Sequence, residues 1–92
     1  MTDTAHTLEI DRKRLKFRSW HRGTREMDLL LGRFADERLG AFDPGALRAF
    51  AALLEQSDPD IYDWVCGRGQ CPDSDLRPIV AALMEFHNSS SS

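Results

Sequence analysis

The spacing of hydrophobic residues along the chain predicts five amphipathic helices. Residues 11–20 form the first, with Phe17 and Trp20 on its apolar side and basic residues around the rest. Four later segments place apolar residues at or near the i, i+3, i+4, i+7 spacing of a core-facing stripe. These are Met27, Leu30, Leu31 and Phe34; Leu47, Phe50, Ala51 and Leu54; Ile61, Trp64 and Val65; and Leu76, Val80 and Leu83 with Phe86 or His87.

Strand patterns are absent, because no stretch alternates strictly between apolar and polar residues and β-branched residues are few. We therefore predict an all-α fold, a compact bundle of five helices, with Phe50 and Trp64 in the core. At 92 residues the chain is long enough for one modest core. We expect a single domain over residues 11–87, a flexible amino terminus over residues 1–10 and a disordered serine tail over residues 88–92.

Polar residues and glycines at the predicted helix ends support these assignments. Gly23 can adopt a left-handed backbone conformation and so end the first helix. Thr24 then caps the second helix, with Glu26 in its first turn, where the helix dipole favours an anion. The other predicted ends are Asp43-Pro44 and Asp58-Pro59 as helix starts, Gly67 or Gly69 as a stop, and Ser74 as the last N-cap.

The charge is distributed unevenly. The net charge is -3, yet seven of the twelve basic residues lie within the first 25 positions. This asymmetry indicates an anionic partner, which could be nucleic acid, a flavin pyrophosphate or an acidic protein surface. For Arg12, Lys13 and Lys16, a solvated helix face is the simpler interpretation.

Several classes of function find no support in the sequence. The histidines are dispersed and no serine or cysteine has a base at helical spacing, so we predict no catalytic residue and no enzyme activity. Cys66 and Cys71 form a lone C-x4-C pair that His87 does not complete as a zinc site, and we expect reduced thiols. No apolar run could span a membrane, and the first residues resemble no targeting signal; we expect a cytoplasmic bacterial protein without membrane insertion.

The segment Arg22-Gly23-Thr24-Arg25-Glu26 has two interpretations. In the first, Gly23 is a helix cap, Glu26 complements the dipole, and the two arginines are solvated surface. In the second, this is a protein-recognition site: Gly23 allows a partner's backbone to approach, Arg22 supplies a fork of donors and Glu26 accepts hydrogen bonds.

A family resemblance favours the second interpretation. Arg22-Gly23-x-x-Glu26, followed by Met27-Asp28 and a leucine-rich helix, resembles the RGxxE signature of the succinate dehydrogenase assembly factor 2 family. The acidic segment Asp58-Pro59-Asp60, leading to Trp64, resembles the second signature of that family, and the similarity covers roughly residues 13–86. At His21 many members carry another arginine.

The resemblance implies an assembly factor that binds the flavoprotein subunit of succinate dehydrogenase or fumarate reductase and promotes covalent attachment of FAD. The FAD belongs to that client, and we expect no cofactor held stably by this chain, which is a monomer when free. The implied partner-binding residues are His21, Arg22, Gly23, Glu26 and Asp28, while Asp58, Asp60 and Trp64 shape the bundle first and contact the client second.

Two alternatives remain open at this point. One is a small helical nucleic-acid-binding protein that uses the basic amino-terminal helix, although the acidic total opposes it and we expect no nucleic-acid partner. The other is a generic protein-interaction domain whose partner is unrelated to flavoproteins.

Overall fold

The computed structural model describes residues 4–90 and contains five α helices, with no strand among those residues. A short 3₁₀ helix, Leu39–Ala41, follows the second α helix. The helices are α1 Thr4–Trp20, α2 Arg25–Arg38, α3 Pro44–Leu54, α4 Asp58–Val65 and α5 Arg77–Ser90. The predicted all-α class and number of helices are confirmed. In this described part of the chain, every helix is too short or too polar to cross a membrane.

The chain divides after Leu47 into two compact units. In the first unit α1 packs against α2, and both contact the 3₁₀ helix; in the second, α4 packs against α5. The single domain predicted over residues 11–87 stays a prediction. The first unit buries Leu15, Met27, Leu31, Phe34, Ala35, Leu39 and Leu47. The second buries Phe50, Leu53, Leu54, Ile61, Val65, Cys71, Leu76, Ile79, Val80, Leu83 and Phe86.

Both terminal helices are longer than predicted. Helix α1 begins at Thr4 rather than Asp11, so residues 4–10, expected to be flexible, are helical. Helix α5 runs to Ser90, so residues 88–90 of the expected disordered tail are helical as well. Residues 5–10 contain no glycine or proline that would stop a helix, which explains the early start. Residues 1–3 and 91–92 lie outside the described residues.

Two of the predicted N-caps are confirmed and two are wrong. The hydroxyl of Thr24 accepts from the Met27 N–H at 3.3 Å, and Oδ1 of Asp43 accepts from the Ala46 N–H at 2.7 Å. Helix α4 is instead capped by Ser57, whose hydroxyl accepts from the Asp60 N–H at 3.3 Å, and Asp58 lies in its first turn.

The start of α5 is the second error. Helix α5 begins at Arg77, so Ser74 is not its cap. Residues 73–76 form a separate turn, in which Oδ1 of Asp73 accepts from the Asp75 N–H at 2.9 Å and the Asp73 carbonyl accepts from the Leu76 N–H at 3.0 Å. A carboxylate that closes its own turn in this way competes with helix formation, and the helix therefore starts later.

The predicted core is correct at Phe50, which is fully buried, but wrong at Trp64, which is only half-buried. Phe17, predicted on the apolar side of the first helix, is 65% exposed. The buried face of α1 is formed by Leu15 and Ser19 instead. The Ser19 hydroxyl donates to the Leu15 carbonyl at 2.7 Å, so this small polar side chain can be buried with its hydrogen bond made.

Arg12 is also placed differently from the sequence prediction of a solvated side chain. It is half-buried, and its guanidinium donates from Nε to the Leu39 carbonyl at 2.9 Å and from a terminal nitrogen to the Phe42 carbonyl at 2.8 Å. The Leu39 carbonyl also accepts from the Phe42 N–H at 3.1 Å, so Arg12 is its second donor. Arg12 thus joins α1 to both ends of the 3₁₀ helix, whereas Lys13 is exposed as expected.

Candidate functional site

Residues 21–24, which we name the Gly23 loop, connect α1 to α2. Gly23 has a φ of +113°, a backbone conformation that residues with a side chain rarely adopt. A Cβ atom built at this position would have no atom within 4 Å. The backbone therefore requires glycine for conformational reasons, and the surface above it is open to an approaching molecule.

Two side chains of α2 and its cap hold the loop in place. Oδ1 of Asp28 accepts from the Arg22 N–H at 2.6 Å, and Thr24 caps the helix through Met27. The Asp28 N–H in turn donates to the Thr24 carbonyl at 3.0 Å. Asp28 thus supports the loop. The family resemblance alone left open whether Asp28 supports the loop or contacts the client directly. Its carboxylate also lies in the first turn of α2, where the helix dipole favours negative charge.

Trp20 fastens the end of α1 to the middle of α2. Its indole Nε1–H lies 3.2 Å from both carboxylate oxygens of Asp36 and donates to that group. Its ring packs so closely on Gly32 that a Cβ atom there would overlap the indole. Because Trp20 immediately precedes the loop, this contact fixes the point at which the loop begins.

His21 is ordered by the last turn of α1. Its ring stacks on Phe17 with a centroid separation of 4.0 Å and an interplanar angle of 19°. Nδ1 of His21 lies 2.6 Å from the Phe17 carbonyl; since a carbonyl only accepts, the ring nitrogen donates there. His21 and Phe17 are both exposed, so the stack presents an ordered aromatic surface to solvent.

An open surface cavity of about 650 Å³ adjoins the loop. Arg25 on its wall is exposed, as is Glu26 in the first turn of α2, while Arg22 is half-buried. A cation and a carboxylate thus flank a glycine with free space above it, which suits recognition of a partner's backbone and polar groups. The residues that line the cavity are Trp20, His21, Gly23, Thr24, Arg25, Asp28 and Leu29.

The structure brings the first group of predicted site residues together, since His21, Arg22, Gly23, Glu26 and Asp28 all belong to the Gly23 loop or the first turn of α2. Their role in binding stays a prediction.

The second group belongs to α4, in the other unit. Asp58 and Asp60 lie in its first turn, the former half-buried and the latter exposed. Trp64 lies near its end and lines a cavity of about 530 Å³ together with Gly67, Arg68 and other residues. A contribution of these residues to client binding is likewise untested.

The two cysteines are free, with Cys66 half-buried and Cys71 buried. The Cys71 thiol lies 3.6 Å from the Asp73 carbonyl oxygen, to which it can donate. Among the side chains of residues 7–89, no group of three or more histidines, cysteines and carboxylates is arranged to hold a metal ion.

Sequence reasoning missed the contact of Trp20 with Gly32 and Asp36. One signal was available: Gly32 stands in the middle of a helix, where glycine costs about 1 kcal/mol relative to alanine and therefore suggests close packing. Nothing in the sequence identified Trp20 as the side chain that fills the space.

Comparison with known proteins provides independent evidence of relationship. A family model described as flavinator of succinate dehydrogenase matches residues 13–87. The FAD assembly factor SdhE of Acetobacter pasteurianus is 36% identical over 78 residues, which cover 85% of this chain and 72% of that protein. The protein of the same name from Pseudomonas aeruginosa is 36% identical over 77 residues, 82% of this chain and 92% of the relative.

A eukaryotic relative matches over a smaller part of its own length. The mitochondrial succinate dehydrogenase assembly factor 2 of Dictyostelium discoideum is 37% identical over 80 residues, which cover 87% of this chain and 56% of that protein. The family model begins within α1, at residue 13, and extends across the Gly23 loop. The chain belongs to the family of succinate dehydrogenase flavinators.

Proposed function

We propose that this chain is an assembly factor that binds the flavoprotein subunit of succinate dehydrogenase and promotes covalent attachment of FAD to it. Membership of the flavinator family supports this function, as do relatives named FAD assembly factor and succinate dehydrogenase assembly factor 2. Fumarate reductase, whose flavoprotein subunit carries the same kind of flavin, is the second candidate client. FAD is held by the client, and the chain acts on it there.

One observation carries the assignment of the site. Gly23 stands at a positive φ with open space above it, and its neighbours hold the loop through Asp28, Thr24 and Trp20. These supports order the backbone around Gly23 while the surface above it stays open, which suits contact with a partner. We assign the Gly23 loop to close contact with the client.

The chain contributes orientation and supplies no reacting group. In the family that this chain resembles, the new bond links a histidine of the flavoprotein to the 8α-methyl group of the flavin. Holding two groups in near-attack geometry removes the entropic cost of bringing them together. Arg22 donates to client acceptors, Glu26 accepts from client donors, and fixed charges in a site that excludes water stabilise developing charge.

His21 belongs to the same loop and contacts the client with it. Asp58, Asp60 and Trp64 form a secondary contact with the client in addition to shaping α4. We propose that the free chain is a monomer that acts in the bacterial cytoplasm, without a nucleic-acid partner and without inserting into a membrane.

Complementation of cells that lack the factor tests this function. Arg22→Ala and Glu26→Ala should each restore little covalent flavin, measured as in-gel fluorescence of the flavoprotein subunit. Arg33→Ala and Glu37→Ala are matched controls, because both residues are exposed on α2 away from the loop, and these variants should restore it fully. Removing the first-turn carboxylate of Glu26 costs the helix only about 0.3–1 kcal/mol, so that variant stays folded.

Melting temperatures of the purified variants separate loss of binding from loss of fold. Near-normal melting with absent covalent flavin supports the proposal. Full restoration of covalent flavin by both Arg22→Ala and Glu26→Ala would show that neither side chain is needed for client binding, and would contradict the proposed mechanism.

A further inference from the structure

One face of α1 that leads to the Gly23 loop is exposed from Ile10 onward. Successive residues of a helix are rotated by about 100°, so residues at spacings of three, four and seven share a face. Phe17 is 65% exposed and Ile10 is 41% exposed, and they lie seven residues apart. We name this face the α1 stripe; it consists of Ile10, Lys13, Arg14, Phe17 and His21, all exposed.

Phe17 at the centre of the stripe is held in one orientation. Its ring stacks on His21, and His21 is in turn fixed by the hydrogen bond from Nδ1 to the Phe17 carbonyl. An aromatic side chain that is already ordered loses little conformational entropy when a partner covers it. Rigid, exposed aromatic residues of this kind are frequent energetic centres of protein interfaces.

The size of a protein interface also points to the stripe. A specific interface covers about 800 Å² of each partner, and the whole chain exposes 5855 Å². The Gly23 loop has four residues, one of them without a side chain, and alone supplies too little area. The α1 stripe continues the loop surface through His21, which lines the loop cavity, and extends it by about 16 Å along the helix.

The charges of the stripe define the chemistry of the surface that it fits. Lys13 and Arg14 lie on either side of the line that joins Ile10 to Phe17, in a chain whose net charge is -3. A partner surface with an apolar depression between carboxylates complements this arrangement. We propose that the α1 stripe binds the same client flavoprotein subunit as the Gly23 loop, with Phe17 in an apolar depression of the client and Lys13 and Arg14 against acidic side chains around it. This inference rests on the proposed function.

Binding of the purified full chain to a purified, FAD-loaded flavoprotein subunit tests the inference, with the dissociation constant measured by calorimetry. Phe17→Ser should weaken binding about 30-fold, the loss typical of an aromatic interface centre. Lys13→Glu should weaken it about tenfold, and added salt should reduce this difference. Arg33→Glu is the matched control, because it also replaces an exposed cation by a carboxylate but lies on α2, outside both the stripe and the Gly23 loop; it should bind like wild type.

Circular dichroism should show unchanged melting of Phe17→Ser, since Phe17 is exposed. Wild-type affinity of Phe17→Ser and Lys13→Glu, alongside failure of Arg22→Ala to bind, would overturn this inference and leave the proposed function standing. Absence of any binding by the wild-type chain would overturn both. The same variants are also tested on phosphatidylserine vesicles and duplex DNA. If wild type binds one of these and the variants do not, while the variants bind the client like wild type, the stripe belongs to that other partner and the inference is overturned.

Discussion

Helices α1 and α4 end alike but are stabilised differently. Each has a half-buried tryptophan followed three residues later by a glycine, Trp20 with Gly23 and Trp64 with Gly67. Both glycines have a positive φ, +113° and +77°, and open space where a Cβ atom would stand. A surface cavity lies beside each of them.

The turn at Gly67 is closed by its own backbone. The Gly67 N–H donates to the Trp64 carbonyl at 3.2 Å, and the Arg68 N–H donates to the Asp63 carbonyl at 2.8 Å. This is the hydrogen-bond pair of a Schellman motif, which a helix ending in glycine forms without help from other elements.

The Gly23 loop depends on side chains that lie further along the sequence. Asp28 accepts a hydrogen bond from the Arg22 N–H. Trp20 donates to Asp36, and its ring packs into the space left by the missing side chain of Gly32. A positive-φ glycine alone therefore does not identify a functional loop. The Gly23 loop differs in that its supports come from α2, whereas at the Gly67 turn the side chain of Arg68 contacts only Asp63 and Tyr62 of the same helix among the contacts described.

Replacing the two tryptophans gives the largest expected effects. Truncating a fully buried aromatic residue costs ~3–5 kcal/mol, so Trp20→Ala and Trp64→Ala, both at half-buried positions, should each lower the free energy of unfolding by about 2 kcal/mol. Urea unfolding measures this loss. Covalent flavin in complemented cells should fall further for Trp20→Ala, because Trp20, unlike Trp64, holds the Gly23 loop, whereas Trp64 belongs to the secondary contact with the client. An equal fall would contradict this ranking of the two contacts.

Adding a methyl group at Gly32 tests the contact with Trp20. Alanine is the better helix former by about 1 kcal/mol, yet its Cβ would displace the indole. We expect a net loss of about 1–2 kcal/mol in Gly32→Ala, typical of an overpacked contact. Gly40→Ala is the control, since space is open there, and should change stability by less than about 0.5 kcal/mol. Thermal unfolding compares the two variants with wild type. Equal melting temperatures of Gly32→Ala and Gly40→Ala would show that the packing of Trp20 does not require glycine at position 32.

Changing Asp28 has the smallest expected effect on stability. Asp28→Ala leaves the Arg22 N–H without its acceptor and should cost about 1 kcal/mol. Asp28→Asn keeps an acceptor oxygen and loses only the charge near the start of α2, worth about 0.3–1 kcal/mol. Hydrogen exchange at the Arg22 amide should be fastest in Asp28→Ala, intermediate in Asp28→Asn and slowest in wild type. If the Arg22 amide exchanges at the wild-type rate in Asp28→Ala, the hydrogen bond to Asp28 does not stabilise the loop.

Local signals predicted much of the fold. Apolar spacing identified the buried stripes around Phe34, Phe50 and Leu83, and Asp43 before a proline identified the start of α3. At α4 the run Ser57-Asp58-Pro59 offers two possible caps, and because proline is tolerated at either of the first helical positions, the sequence does not separate them.

Tertiary contacts explain what could not be predicted. Phe17 and Trp64 are aromatic residues at helical spacing, but the side on which each packs depends on neighbours distant in sequence. Arg12 belongs to a run of basic residues, and only the fold brings the Leu39 and Phe42 carbonyls within its reach. At the candidate site the motif indicated the Gly23 loop, whereas its support by Trp20 required the structure.

The most direct test of the central claim compares Gly23→Ala with Gly67→Ala in cells that lack the factor. Alanine meets no steric obstacle at either position, and the strained backbone should cost each variant about 1–3 kcal/mol. With protein levels matched by immunoblot, in-gel flavin fluorescence of the client should be strongly reduced for Gly23→Ala and close to wild type for Gly67→Ala. Equal fluorescence for the two variants would contradict the assignment of the Gly23 loop to the client.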